Sequence, residues 1–105
     1  MKTPRLMGYC LLPEAEAELD DIWIYTARES GSIEAANRLI DAISERFFLL
    51  GQYPQIGRRR DHDLRANLRS FPVGEYVIVH RVDDGDAIIL HVMRGSRDIE
   101  RFLNE

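Results

Sequence analysis

From Ile33 to Leu50 apolar residues recur three and four apart, at Ile33, Ala36, Ile40, Ile43, Phe47 and Leu50. Only an α-helix gathers such positions on one side. A second line, Ala35, Leu39, Ala42 and Leu49, follows a different side of the same helix. A helix with two apolar sides must cover a sheet with one and meet a second helix, or another protein, with the other. Ser32 is placed to cap its start, and Gly51, Pro54 and Gly57 to end it.

The flanking segments supply those partners. Residues Arg5–Leu12 read as a strand, and Pro13, suited to a first helical turn, opens a helix to Arg28 or Glu29. Its apolar stripe is Ala15, Leu19, Ile22, Trp23 and Thr26, with Glu14, Glu16 and Glu18 in its first turns as a solvated face that complements the macrodipole. Ser30-Gly31-Ser32 makes a tight link to the second helix. Beyond residue 67 the period becomes two: Leu68–Phe71, Glu75–Val82 and Ala87–Met93 read as strands, the last two joined by the hairpin signal Asp83-Asp84-Gly85-Asp86. A short helix is expected over Ser96–Leu103. The fold class is α+β: an N-terminal strand, then a helical hairpin packed on one face of a mainly antiparallel sheet. With 105 residues and no repeat or linker, residues 1–105 are expected to form a single domain.

Composition narrows function. Hydrophobic residues are 45% and charged residues 30%, as in globular proteins, which excludes a disordered or fibrous chain. The start of the sequence has neither a secretory h-region nor a span, so a cytoplasmic protein without membrane association is expected. Cys10, the single cysteine, reads as a small hydrophobe. The net charge of -4 argues against direct nucleic-acid binding by the chain alone. The charge is uneven, however: residues 1–57 hold 5 basic and 9 acidic side chains, whereas residues 58–70 hold Arg58, Arg59, Arg60, Arg65 and Arg69 against Asp61 and Asp63. That arginine loop is suited to gripping an acidic partner or phosphate, or to pairing with its own carboxylates. His80 and His91 fall on the two hairpin strands as possible neighbours on one face. With only His62 as a further candidate they lack the three or four ligands of a metal site, so neither metal nor cofactor is expected. Ile24 lies nearly opposite the first helix's apolar stripe, and with Leu39 and Leu49 it is a candidate surface for a docked partner helix.

Four stretches in register carry a resemblance: Leu12-Pro13-Glu14-Ala15-Glu16-Ala17-Glu18-Leu19-Asp20-Asp21-Ile22-Trp23; Tyr53-Pro54 with Gly57-Arg58; Leu68-Arg69-Ser70-Phe71-Pro72-Val73-Gly74-Glu75-Tyr76; and Arg94-Gly95-Ser96-Arg97-Asp98-Ile99. They resemble the ParE branch of the RelE/ParE toxin superfamily. The resemblance implies the toxin half of a type II toxin-antitoxin pair, neutralised by a ParD-like antitoxin in a heterotetramer or larger, with DNA gyrase as its target. It departs from the ParE pattern at Arg94-Gly95-Ser96-Arg97, where the family commonly carries a His-Gly-Arg-Arg-like run. The sister RelE branch cleaves mRNA on the ribosome. Its arginine after the strand tyrosine is here Val77, following Tyr76, and its C-terminal tyrosine is replaced by Phe102 and Leu103. No catalytic residue is therefore expected; the alternative nuclease reading would use Arg69, Arg97 and His91. A degenerate toxin that retains only antitoxin binding is a third reading. The antitoxin is expected to meet Ile24, Leu39, Leu49, Arg69 and Arg94, and the target to meet Arg58, Arg59, Arg60, Arg65 and Arg97.

Overall fold

The structure is a computed structural model and describes residues 8–60 and 67–95. Strand β1 (Tyr9–Leu11) leads into α1 (Pro13–Ser30) and α2 (Ile33–Gln52), then β2 (Arg58–Arg59), β3 (Leu68–Val73), β4 (Tyr76–Asp83) and β5 (Asp86–Arg94). The five strands form one sheet in the order β1-β5-β4-β3-β2; β1 runs parallel to β5 and every other pair is antiparallel. The expected α+β architecture is therefore present. The expected strand residues 5–7 and terminal helix 96–103 lie outside the described residues.

Local chemistry sets the helix ends. Pro13 occupies the first turn of α1, and Gly31 closes the helix at φ 67°, the left-handed conformation that glycine adopts without steric cost. Ser32 Oγ accepts the Ala35 N–H at 3.0 Å to start α2. Trp23 Nε1 donates to Asn37 Oδ1 at 2.8 Å and ties the two helices together. Two expectations for α2 need correction. The helix runs through Gly51 to Gln52 and is capped by Tyr53, whose N–H donates to the Leu49 carbonyl. Ile33, which heads the apolar line, is 62% exposed, and burial on α2 begins only at Ala36.

Two tight hairpins build the meander. Asp84 and Gly85 both take positive φ between Asp83 and Asp86, as a type I′ turn requires, and Gly74 (φ 59°) turns β3 into β4. The main core joins Ala15, Ile22, Ile43, Phe47 and Leu50 from the helices to Val73, Tyr76, Ile78, Ala87, Ile89 and Val92 from the sheet. A second cluster, Leu68, Val79 and Met93 flanked by Val77 and Leu90, occupies the other face. Burial on both faces explains why β4 and β5 read as nearly continuous apolar runs.

His80 is the most thoroughly buried polar side chain in the sheet. One ring nitrogen, Nε2, lies 3.1 Å from the Pro54 carbonyl and donates to it, while Nδ1 is buried without a hydrogen-bond partner among the described residues. Burial holds its pKa below the ordinary 6.5; the Pro54 carbonyl opposes that shift, and the Arg69 charge adds to it. Folded His80 thus binds fewer protons than unfolded His80 below about pH 6.5. Stability is expected to be complete above that pH and to fall as the pH drops toward the lowered folded value. Urea midpoints between pH 7.5 and 5 would show this, and His80→Gln is expected to flatten the slope; an unchanged slope would assign it to another group.

Gly8 sits at φ 78° directly against the α2 backbone, where a Cβ would overlap the Gly51 carbonyl. Gly8→Ala combines left-handed strain with overpacking against an immovable helix and is expected to cost roughly 2–4 kcal/mol. A melting temperature within a few degrees of the parent's would show that β1 can slide off α2 without loss.

Candidate functional site

The strand that carries the site changes phase partway along. Cross-strand partners run Val79↔His91 and then His80↔Ile89, so Leu90 is an extra residue in β5, a β-bulge. Uninterrupted alternation would turn Ala87, Ile89, His91 and Met93 toward the helices. The bulge instead turns Val92 and Arg94 toward them, and Met93 joins the second-face cluster. It also separates the two histidines. His80 shares the helix-side register with Ile89, while His91 pairs with Val79 of the other face. The expected one-face histidine pair does not form.

Just past the bulge β1 has ended, and the outer edge of β5 would lack a partner. Glu18 of α1 closes it: its Oε1 accepts the Val92 N–H at 2.9 Å, and the carboxylate lies 3.1 Å from His91 Nδ1. Glu18 therefore does not belong to the solvated acidic face expected for the start of α1, because helix register brings it, alone of Glu14, Glu16 and Glu18, over the sheet edge. Among the described residues no group of three metal-ligating side chains gathers.

Arg94, aimed by the bulge, reaches α1. Its Nη1 donates to the Tyr25 hydroxyl at 3.0 Å, and its guanidinium carbon lies 5.2 Å from the Tyr25 ring centre. The Tyr25 hydroxyl raises the pKa of this already permanent cation, and Glu75 adds a weaker contact at 3.9 Å. Two concavities flank the Arg94–Tyr25 pair. One of about 260 Å³ includes Glu18, Asp21, Ile22, Tyr76 and Val92; the other, about 420 Å³, includes Thr26, Glu29, Leu39, Glu75 and Tyr76. Together they make a groove between α1 and the end of β5, apolar at its floor and carboxylate-rich at its rim.

The arginine cluster lies at the far edge of the sheet. Arg58 and Arg59 are not loop residues, for they form β2, pairing with Ser70 and Arg69 of β3. Strand alternation divides the run: Arg59 lies beside Arg69, whereas Arg60 donates from Nη1 to Ser70 Oγ at 3.0 Å. Arg59 and Arg69 line a polar pocket of about 170 Å³ with Gln55, Asn67, Leu68 and Val82.

The structure thus brings together Leu39 and Arg94 of the residues expected to meet an antitoxin, and adds Tyr25 and Tyr76, which the sequence reading passed over. Tyr25 follows Ile22 by three and Asp21 by four, a spacing that marks the border of the buried stripe. Ile24 is 43% exposed but does not line the groove, Leu49 is half-buried on α2, and Arg69 lies at the opposite sheet edge. Of the nuclease alternative, Arg69 is two strands from His91 and on the other face of the sheet, so the two are not brought together. Arg65 and Arg97 lie outside the described residues.

Comparison with known proteins adds independent observations. A family model described as the ParE toxin of the type II toxin-antitoxin system parDE matches residues 9–99. Toxin ParE1 of Caulobacter vibrioides is 36% identical over 76 residues, covering 70% of this chain and 75% of its own. Toxin ParE3 of the same organism is 30% identical over 71 residues, covering 68% and 70%. Toxin ParE1 of Mycobacterium tuberculosis is 27% identical over 96 residues, covering 90% and 96%. A solved structure, the chromosomal ParDE TA system from P. aeruginosa, superposes with a TM-score of 0.73 at 22% identity over 87% of this chain and 98% of that one, a likeness of fold.

Proposed function

Because the chain belongs to the ParE toxin family of type II toxin-antitoxin systems, we propose that it inhibits DNA gyrase in the cytoplasm and is held silent by a ParD-like antitoxin. The family match across residues 9–99 carries this reading. Gyrase follows from the family resemblance. The groove between α1 and β5 supplies a place for the antitoxin: an apolar floor for a helix or extended segment, with Arg94 and Tyr25 as polar anchors in it. The complex is a heterotetramer or larger. Among the described residues no helix is long and apolar enough to cross a membrane.

Tyr25→Ala removes the ring that divides the two concavities and the acceptor of the Arg94 hydrogen bond. It is expected to weaken antitoxin affinity about tenfold or more, the loss typical of an aromatic anchor, with little change in melting. Ile24→Asp, next in sequence but off the groove, is expected to leave affinity within about threefold. Calorimetry on both variants would locate the surface; the reverse order of effects would move it to the outer side of α1.

Antitoxin-free protein is expected to inhibit gyrase supercoiling and to arrest growth on expression. Normal supercoiling with mRNA cut during in vitro translation would place the chain in the endonuclease branch. Neutral growth would make it a degenerate toxin.

A further inference from the structure

The net charge of -4 averages two poles that the fold keeps apart. α1 carries Glu14, Glu16, Asp20, Asp21 and Glu29 exposed, and it packs over β5 near the β1 edge. β2 and β3 hold Arg58, Arg59 and Arg69 toward the opposite edge of the sheet, with Arg60 next to β2, and β2 lies three strands from β5, about 14 Å at ordinary strand spacing. A net charge this small says little about an edge where cations have been gathered.

The arrangement at that edge is specific. Arg59 and Arg69 are directly opposite in the antiparallel register, a like-charge pairing that sheets ordinarily avoid. The pocket between them is polar, and the amides of Gln55 and Asn67 join the two guanidinium groups in lining it. Arg69 Nη2 reaches Gln55 Oε1 at 3.5 Å, which steadies the guanidinium at the pocket wall. Two planar cationic forks with flanking amide donors around a small hollow match the tetrahedral oxygens of a phosphate, and arginine, asparagine and glutamine side chains are among the usual donors to nucleic-acid backbones.

We propose that the Arg59–Arg69 pocket is a phosphate site that takes the sugar–phosphate backbone of a nucleic acid. This activity of the chain itself is independent of the identity of its protein target. The acidic α1 pole orients the molecule, repelling the polyanion so that only the β2–β3 edge approaches it.

Fluorescence anisotropy with a labelled duplex DNA of about 20 base pairs and a single-stranded RNA of matched length, at about 50 and 200 mM salt, tests the site. Both sources present the same backbone, and the two arms show which binds more tightly. Arg59→Gln/Arg69→Gln is expected to weaken binding about tenfold or more and to reduce the salt slope by nearly two, one phosphate contact per arginine. Arg59→Gln alone, in a two-residue edge strand, is expected to cost about threefold and remains informative if the double variant folds poorly. Arg28→Gln removes a charge from the distant α1 and is expected to change nothing. Inorganic phosphate is expected to compete better than chloride at equal ionic strength. Unchanged affinity in the arginine variants, an equal loss in Arg28→Gln, or phosphate binding with no binding of either nucleic acid would overturn the proposal.

Discussion

One extra residue in β5 decides what the helical side of this sheet presents. Were Leu90 not bulged, the end of the strand would turn His91 and Met93 toward α1, a polar ring and a flexible thioether where Val92 now closes the core and Arg94 meets Tyr25. A bulge needs support, since it breaks the ladder at the point where β1 has already stopped. The Glu18 carboxylate provides that support by accepting the Val92 N–H and engaging the His91 ring. Bulge, carboxylate and arginine therefore form a single unit.

Much of the architecture was legible in advance because it is written in local chemistry. The 3.6-residue period of α2, the proline that opens α1, the serine cap and the Asp-Gly turn each have a physical meaning within a few residues. The bulge was not legible: Ala87–Met93 is apolar almost throughout, so nothing marks where two neighbouring residues share a side. β2 was missed for a related reason. Two consecutive arginines have no strand pattern, and their pairing is supplied by β3.

The site was partly legible. Leu39 and Arg94 could be singled out, one in a second apolar line and the other near the end of an expected strand, yet only the fold shows that they share a groove. Glu18 looks like Glu14 and Glu16 in sequence, and its role depends on β1 ending where it does. Arg58, Arg59 and Arg60 read as one patch, but strand alternation sorts them. In each case the missing information concerned what another element does at that height in the sheet.

The parallel pairing of β1 with β5 has a consequence for biosynthesis. The helical hairpin and the β3–β4–β5 meander are each built from contacts between near neighbours in the chain, which form quickly. Tyr9 must wait for Ala87, and the strand that Glu18 and Tyr25 serve is the last described element to leave the ribosome. Neither the groove nor the closed sheet edge exists on a nascent chain until β5 has emerged. A product that stops short of β5 would keep the helical hairpin but have neither the groove nor the closed edge, so the surface proposed for the antitoxin depends on the last described strand.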